Sequence, residues 1–159
     1  EIEKLKEFYE TSKDSYLIPE SFSFTHLYFA ANKDGDLKAD LAAQNLSNNK
    51  AVTNADPFLL GKNFSNRSLS DIKRDFGENF SSSFLNLSKG DWQGPIKSIY
   101  GSHLVKILDT SEEYMPSFEE VISQVKVDFL LLQRDKQIKD FIDGLKADYQ
   151  VVISPNFLR

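Results

Sequence analysis

Only two imidazoles occur in the chain, and each falls where its side chain shares a face with apolar residues. His26 follows Phe22 and Phe24 and precedes Tyr28 at every second position, and His103 alternates in the same way with Val105 and Ile107. Near neutral pH an imidazole donates through one ring nitrogen and accepts through the other. A pair in a dry pocket can therefore bind a polar group or satisfy its own hydrogen bonds. Position alone leaves both readings open: a functional pair, or two hydrogen-bonded core histidines. There is no cysteine, which removes a thiolate nucleophile, thiolate metal ligands and disulfides. Zinc would have to draw its remaining ligands from carboxylates, so no metal and no cofactor is expected.

The segments carrying the histidines alternate like strands with one face on a core. Ahead of them, Ile2, Leu5, Phe8 and Tyr9 recur at helical spacing, and Pro19 closes that element. Leu37, Leu41, Ala42 and Leu46 outline a short helix over 34–47, followed by a polar loop over 48–54. Asp56-Pro57-Phe58-Leu59-Leu60-Gly61 fits either a short edge strand or an ordered loop, because Pro57 has no N–H for a ladder. Ser68 with Asp71 makes a capping-box pattern ahead of Leu69, Ile72, Phe76, Phe80 and Phe84, a helical run that Gly77 can split. Trp92–Ile99 and the segment through His103 predict a hairpin. Ser117 and Glu120 cap a long helix with apolar positions from Phe118 to Leu145, and Tyr149–Ser154 predicts a short strand. The wide band at Leu130-Leu131-Leu132 fits either a docking face or a cover for the parent domain. Together these elements predict an α+β fold.

Charge and length exclude some functions. A net charge of -5, from 24 acidic and 19 basic residues, offers no basic stripe for phosphates, so nucleic acid is not an expected partner. No apolar run reaches the roughly 18 residues that span a bilayer. No membrane contact is expected from these residues, and any anchor is expected upstream of Glu1.

Phe24-Thr25-His26-Leu27, then Gly90-Asp91-Trp92-Gln93-Gly94-Pro95-Ile96, then Tyr100-Gly101-Ser102-His103-Leu104-Val105-Lys106-Ile107 resemble, in order and spacing, the motifs of the parvulin family of peptidyl-prolyl isomerases. The resemblance implies a small antiparallel sheet of about four strands wrapped by helices over 21–110, with flanking helices in 1–20 and 111–159. It implies that His26 and His103 floor an active site and that Phe80 holds the substrate proline ring. Phe76 stands where the family usually has methionine, which keeps an apolar wall but stiffens it. The family's glycine-rich segment with an acid near the histidines is degenerate here. Aligned on Gly61, it puts Leu59 or Leu60 at the acid's place and leaves Asp56 as the nearest carboxylate. Asp56 is then either a catalytic group that polarises the pair or a turn aspartate.

The flanks resemble those of secreted and membrane-anchored bacterial folding factors. That implies a prolyl isomerase on the periplasmic side of a bacterial envelope, anchored through an upstream segment, with proline-containing unfolded polypeptides as partners. The missing acid and Phe76 favour a second reading, a catalytically degenerate chaperone or peptide-binding module.

Overall fold

The computed structural model, which describes residues 1–149, runs α1 (Ile2–Thr11), β1 (Ser21–Ala30), α2 (Gly35–Ser47), β2 (Asn63–Ser68), α3 (Leu69–Phe76), α4 (Glu78–Ser83), β3 (Trp92–Lys97), β4 (Gly101–Ser111) and α5 (Phe118–Asp148). It divides into two units, Ile18–Tyr114 and, separately, Glu1–Leu17 with the segment from Met115 onward. The first unit holds a 4-stranded antiparallel sheet in the order β2-β1-β4-β3. The class is α+β, as the alternating and helical periods predict.

Alternation gives the sheet two different faces. Phe22 and Phe24 of β1, with Val105 and Ile107 of β4, pack against Ile72, Phe76, Phe80 and Phe84 of the helical run. Leu27, Phe29 and Leu104 point the other way and meet Ala39 and Ala42 of α2. This second contact keeps Ala42 and Leu46 of the expected face of α2 and leaves out its other two leucines. Leu37 and Leu41 are exposed, and the buried positions are Gly35, Ala39 and Ala42. Small side chains let the helix lie against the sheet, and a Cβ on Gly35 would meet the Ala30 carbonyl oxygen at 2.5 Å.

Local signals set the helix ends. The Ser68 hydroxyl accepts from the Asp71 N–H at 3.1 Å while the Asp71 carboxylate accepts from the Ser68 N–H at 3.2 Å, the reciprocal cap that opens α3. Gly77 splits α3 from α4 at a φ of 99°, where a side chain is strained and a Cβ would also meet Ile99 at 2.8 Å. Gly94 answers a similar demand in β3, since a Cβ there would lie 2.7 Å from the His103 carbonyl oxygen.

Asp56 makes an isolated bridge to Tyr28, its N–H donating to the Tyr28 carbonyl at 2.7 Å. Beyond it the chain is a loop that turns on a Gly61 N–H to Phe58 carbonyl bond of 3.0 Å. The segment is thus one bridging pair and then a strap.

In the other unit α1 and α5 bury Leu5, Tyr9, Phe118 and Val125, and the Tyr9 hydroxyl donates to the Pro116 carbonyl at 2.6 Å. Burial does not follow α5 to its end: Leu132, Ile138 and Phe141 are exposed. The expected strand over Tyr149–Ser154 lies, from residue 150 on, outside the described residues. Among the described residues no helix is long and apolar enough to cross a membrane.

Candidate active site

β1 and β4 are hydrogen-bonded neighbours, in a register that sets Tyr28 opposite His103 and His26 opposite Val105. That register puts both imidazoles on the face that also carries α3 and α4. Their Nδ1 atoms approach to 2.9 Å, and both side chains are buried. His26 Nε2 lies 2.9 Å from the Gly61 carbonyl oxygen, and His103 Nε2 lies 2.7 Å from the Ser98 hydroxyl.

These partners determine the protons. A carbonyl oxygen only accepts, so His26 carries its proton on Nε2. In the neutral ring Nδ1 is then the acceptor, His103 donates to it from its own Nδ1, and His103 Nε2 accepts from the Ser98 hydroxyl. One chain of donors therefore runs from Ser98 through both rings to Gly61. The Ser98 oxygen is itself positioned by the Tyr100 N–H at 3.0 Å.

Burial also keeps the pair neutral. It pushes His103 down to about 3, with the neighbouring His26 ring adding to the effect. His26 is lowered as well, first by burial, with the Gly61 carbonyl opposing and the Lys62 charge reinforcing. Since the folded values lie below the ordinary 6.5, the unfolded chain takes up protons first as the pH falls. The contribution of His103 is complete above about pH 6.5 and shrinks as the pH falls from there toward about 3, and His26 acts in the same direction. His103 alone is expected to cost about 2 kcal/mol between pH 7 and pH 5. The lowered carboxylates of Asp36, Asp71 and Asp109 act only below about pH 4, outside this window. Urea midpoints followed by Trp92 fluorescence measure it, and a midpoint equal at both pH values would contradict the assignment.

Phe76 and Phe80 lie on the same face as the pair, each within ring contact of His103. They stack on each other at 4.4 Å and 12°, and Phe80 lies edge-on to His103 at 5.0 Å. Both are buried. Above them sits a ring that the sequence reading missed. Phe58 lies parallel to Phe76 at 5.3 Å and 15°, and edge-on to His26 at 5.0 Å and to His103 at 5.3 Å. Tyr28 and Tyr100 close its sides at 4.9 and 5.2 Å. Leu59 and Leu60, the residues aligned with the family's acid, are 91% and 44% exposed, so the strap turns Phe58 inward instead.

Asp56 serves the strand edge. Its Oδ2 accepts from the Ala30 N–H at 2.9 Å, and its charge, after burial, raises the Tyr28 hydroxyl. All four ring nitrogens of the histidines have partners other than Asp56. With His26, Tyr28 and Lys62 it lines a cavity of about 420 Å³ beside the pair. No group of three or more His, Cys, Asp or Glu that could hold a metal ion occurs among the described residues.

A model of the PPIC-type PPIASE domain matches residues 3–123. The chain belongs to the PPIC-type peptidyl-prolyl isomerase family. Its domain is of the parvulin type, and the histidine pair lies inside the matched region. Foldase protein PrsA of Clostridium tetani is 31% identical over 72 residues, which cover 45% of this chain and 21% of that protein. A solved structure from the pair of SurA-like chaperones of Campylobacter jejuni, the virulence factor PEB4 and the periplasmic protein Cj1289, superposes with a TM-score of 0.58 at 18% identity. It covers 97% of this chain and 64% of the other, and supports the fold. PrsA from Bacillus subtilis aligns at 15% identity over 95% of this chain and 56% of that one, with a TM-score of 0.41. This chain thus spans about a fifth of the curated relative and under two thirds of the Campylobacter chain.

Proposed function

We propose that this isomerase domain turns prolyl bonds in unfolded or partly folded polypeptides of the cell envelope. His26 and His103 would sit beneath the rotating amide, and Phe76 and Phe80 would back the proline ring. The barrier is the loss of amide resonance, about 18–20 kcal/mol, and no covalent bond is made or cut. The twisted amide is less dipolar than the planar one and has a more basic nitrogen. A dry aromatic cleft with fixed N–H donors therefore favours the transition state over the ground state. The observation that carries this reading is the fully hydrogen-bonded histidine pair against a stacked aromatic wall.

The test is turnover of a prolyl tetrapeptide above the uncatalysed rate. A wild-type rate equal to background would overturn the reading. The likenesses to a foldase and to a SurA-like periplasmic chaperone support a folding role outside the cytoplasm. Attachment to the membrane through a segment outside these residues is checked by fractionating cells that express the full-length protein.

Phe58 in the cleft favours a second reading, a peptide-binding chaperone in which catalysis is vestigial. A His103→Ala variant that turns over no peptide but still suppresses aggregation of an unfolded client would support it. Equal loss of both activities would favour the enzyme.

A further inference from the structure

The strap over 57–61 presents two groups to the cleft, and they are the two that a prolyl substrate would present. One is a ring, Phe58, lying face to face with Phe76 and edge-on to both imidazoles. The other is a carbonyl, that of Gly61, which takes the proton of His26 Nε2 at 2.9 Å. That N–H is the donor of the histidine chain that points away from the pair, so it is the one available to an incoming amide. While Gly61 holds it, it is engaged.

The strap is tethered at its ends and free at its tip. Asp56 bridges to Tyr28 on one side, and the His26 N–H donates to the Lys62 carbonyl at 3.1 Å on the other. Between them Leu59 is exposed, and nothing lies within 4 Å of a Cβ built on Gly61. What holds the tip down is Phe58 together with the Gly61 carbonyl.

We propose that residues 57–61 are an internal substrate mimic. They close the proline seat with Phe58 and cap the His26 N–H with Gly61, and a client enters by displacing both. This deepens the isomerase reading and rests on it for the identity of the client. Binding to a site that is open in only a fraction of molecules is weakened by that fraction. A strap closed in more than about nine molecules of ten therefore weakens peptide affinity about tenfold.

The experiment titrates the full chain with acetyl-Ala-Leu-Pro-Ala amide, which carries no aromatic ring. NMR reads the dissociation constant, and exchange spectroscopy reads the cis–trans rate. Phe58→Ala is expected to bind at least about tenfold tighter than wild type and to exchange the peptide faster. Leu59→Ala, at the exposed tip of the same strap, is expected to match wild type. Unchanged or weaker binding by Phe58→Ala overturns the proposal.

Because that substitution removes a core-facing ring, a second measurement leaves the strap intact. Fluorophenylalanine at position 58 is expected to move toward its solvent-exposed ¹⁹F shift as peptide is added to the otherwise wild-type chain. Peptide binding that leaves the signal in place overturns the proposal. Tighter binding by Phe58→Ala without faster exchange supports the strap and counts against catalysis, so the two failures are distinguishable.

Discussion

Replacing Phe80 with alanine is expected to destabilise the unit that carries the site by about 3–5 kcal/mol, the cost of emptying a fully buried phenyl position. The ring has no exposed surface; it stacks on Phe76, touches Phe84 at 5.4 Å and lies against His103. Collapse into the void is limited on the His103 side, because that ring is held through both nitrogens. Phe80 thus supports the seat from beneath, and its loss strikes the fold before it strikes peptide affinity. Trp92, the single tryptophan of the chain, lies in the same unit and reports its urea midpoint. A loss under about 1 kcal/mol would mean that the aromatic stack is loosely packed. Phe80→Leu is expected to cost under about 1.5 kcal/mol, which leaves a folded protein in which affinity can be asked separately.

The second large effect is on rate. His103→Ala is expected to lower kcat/KM for a prolyl tetrapeptide about 100-fold, equivalent to about 2.7 kcal/mol of barrier. The substitution removes the donor to His26 Nδ1 and the acceptor for the Ser98 hydroxyl together. His26 then keeps only the Gly61 carbonyl on Nε2, and once a client displaces that carbonyl nothing on Nδ1 fixes its tautomer or aim. Leaving buried polar groups unpaired costs about 1–3 kcal/mol each, so the same variant is also expected to be less stable. Turnover within about threefold of wild type would show that the pair is structural. If Asp56→Asn fell as far as His103→Ala, the carboxylate would act with the pair rather than only at the Ala30 edge.

Much of this was legible in the sequence because its cause is local. The Ser68 and Ser117 caps are reciprocal bonds within three residues, and both form as the pattern predicts. Period-2 alternation placed His26 with Phe22 and Phe24, and Gly77 divided the helical run through a φ that a side chain resists. The face of α2 was legible only in part, because a helix that must lie close to a sheet buries its small residues Ala39 and Ala42 and leaves Leu37 and Leu41 outside. Phe58 was missed for a different reason. Which of three consecutive apolar residues turns into the cleft depends on the Gly61 turn and on rings from distant strands, and no spacing rule carries that. Ser98 likewise becomes visible only once His103 is placed beside it.

In the proposed mechanism a neutral imidazole pair works on the prolyl amide from the floor of the cleft. The most direct test follows the ring ¹⁵N signals of His26 and His103 at pH 7.5 while the chain exchanges acetyl-Ala-Leu-Pro-Ala amide between cis and trans. The expected spectrum has two neutral rings of opposite tautomer, protonated on Nε2 in His26 and on Nδ1 in His103. Both shift as peptide saturates, and exchange is faster than without protein. A charged imidazolium at that pH, or accelerated exchange with both ring signals unmoved, would contradict the account.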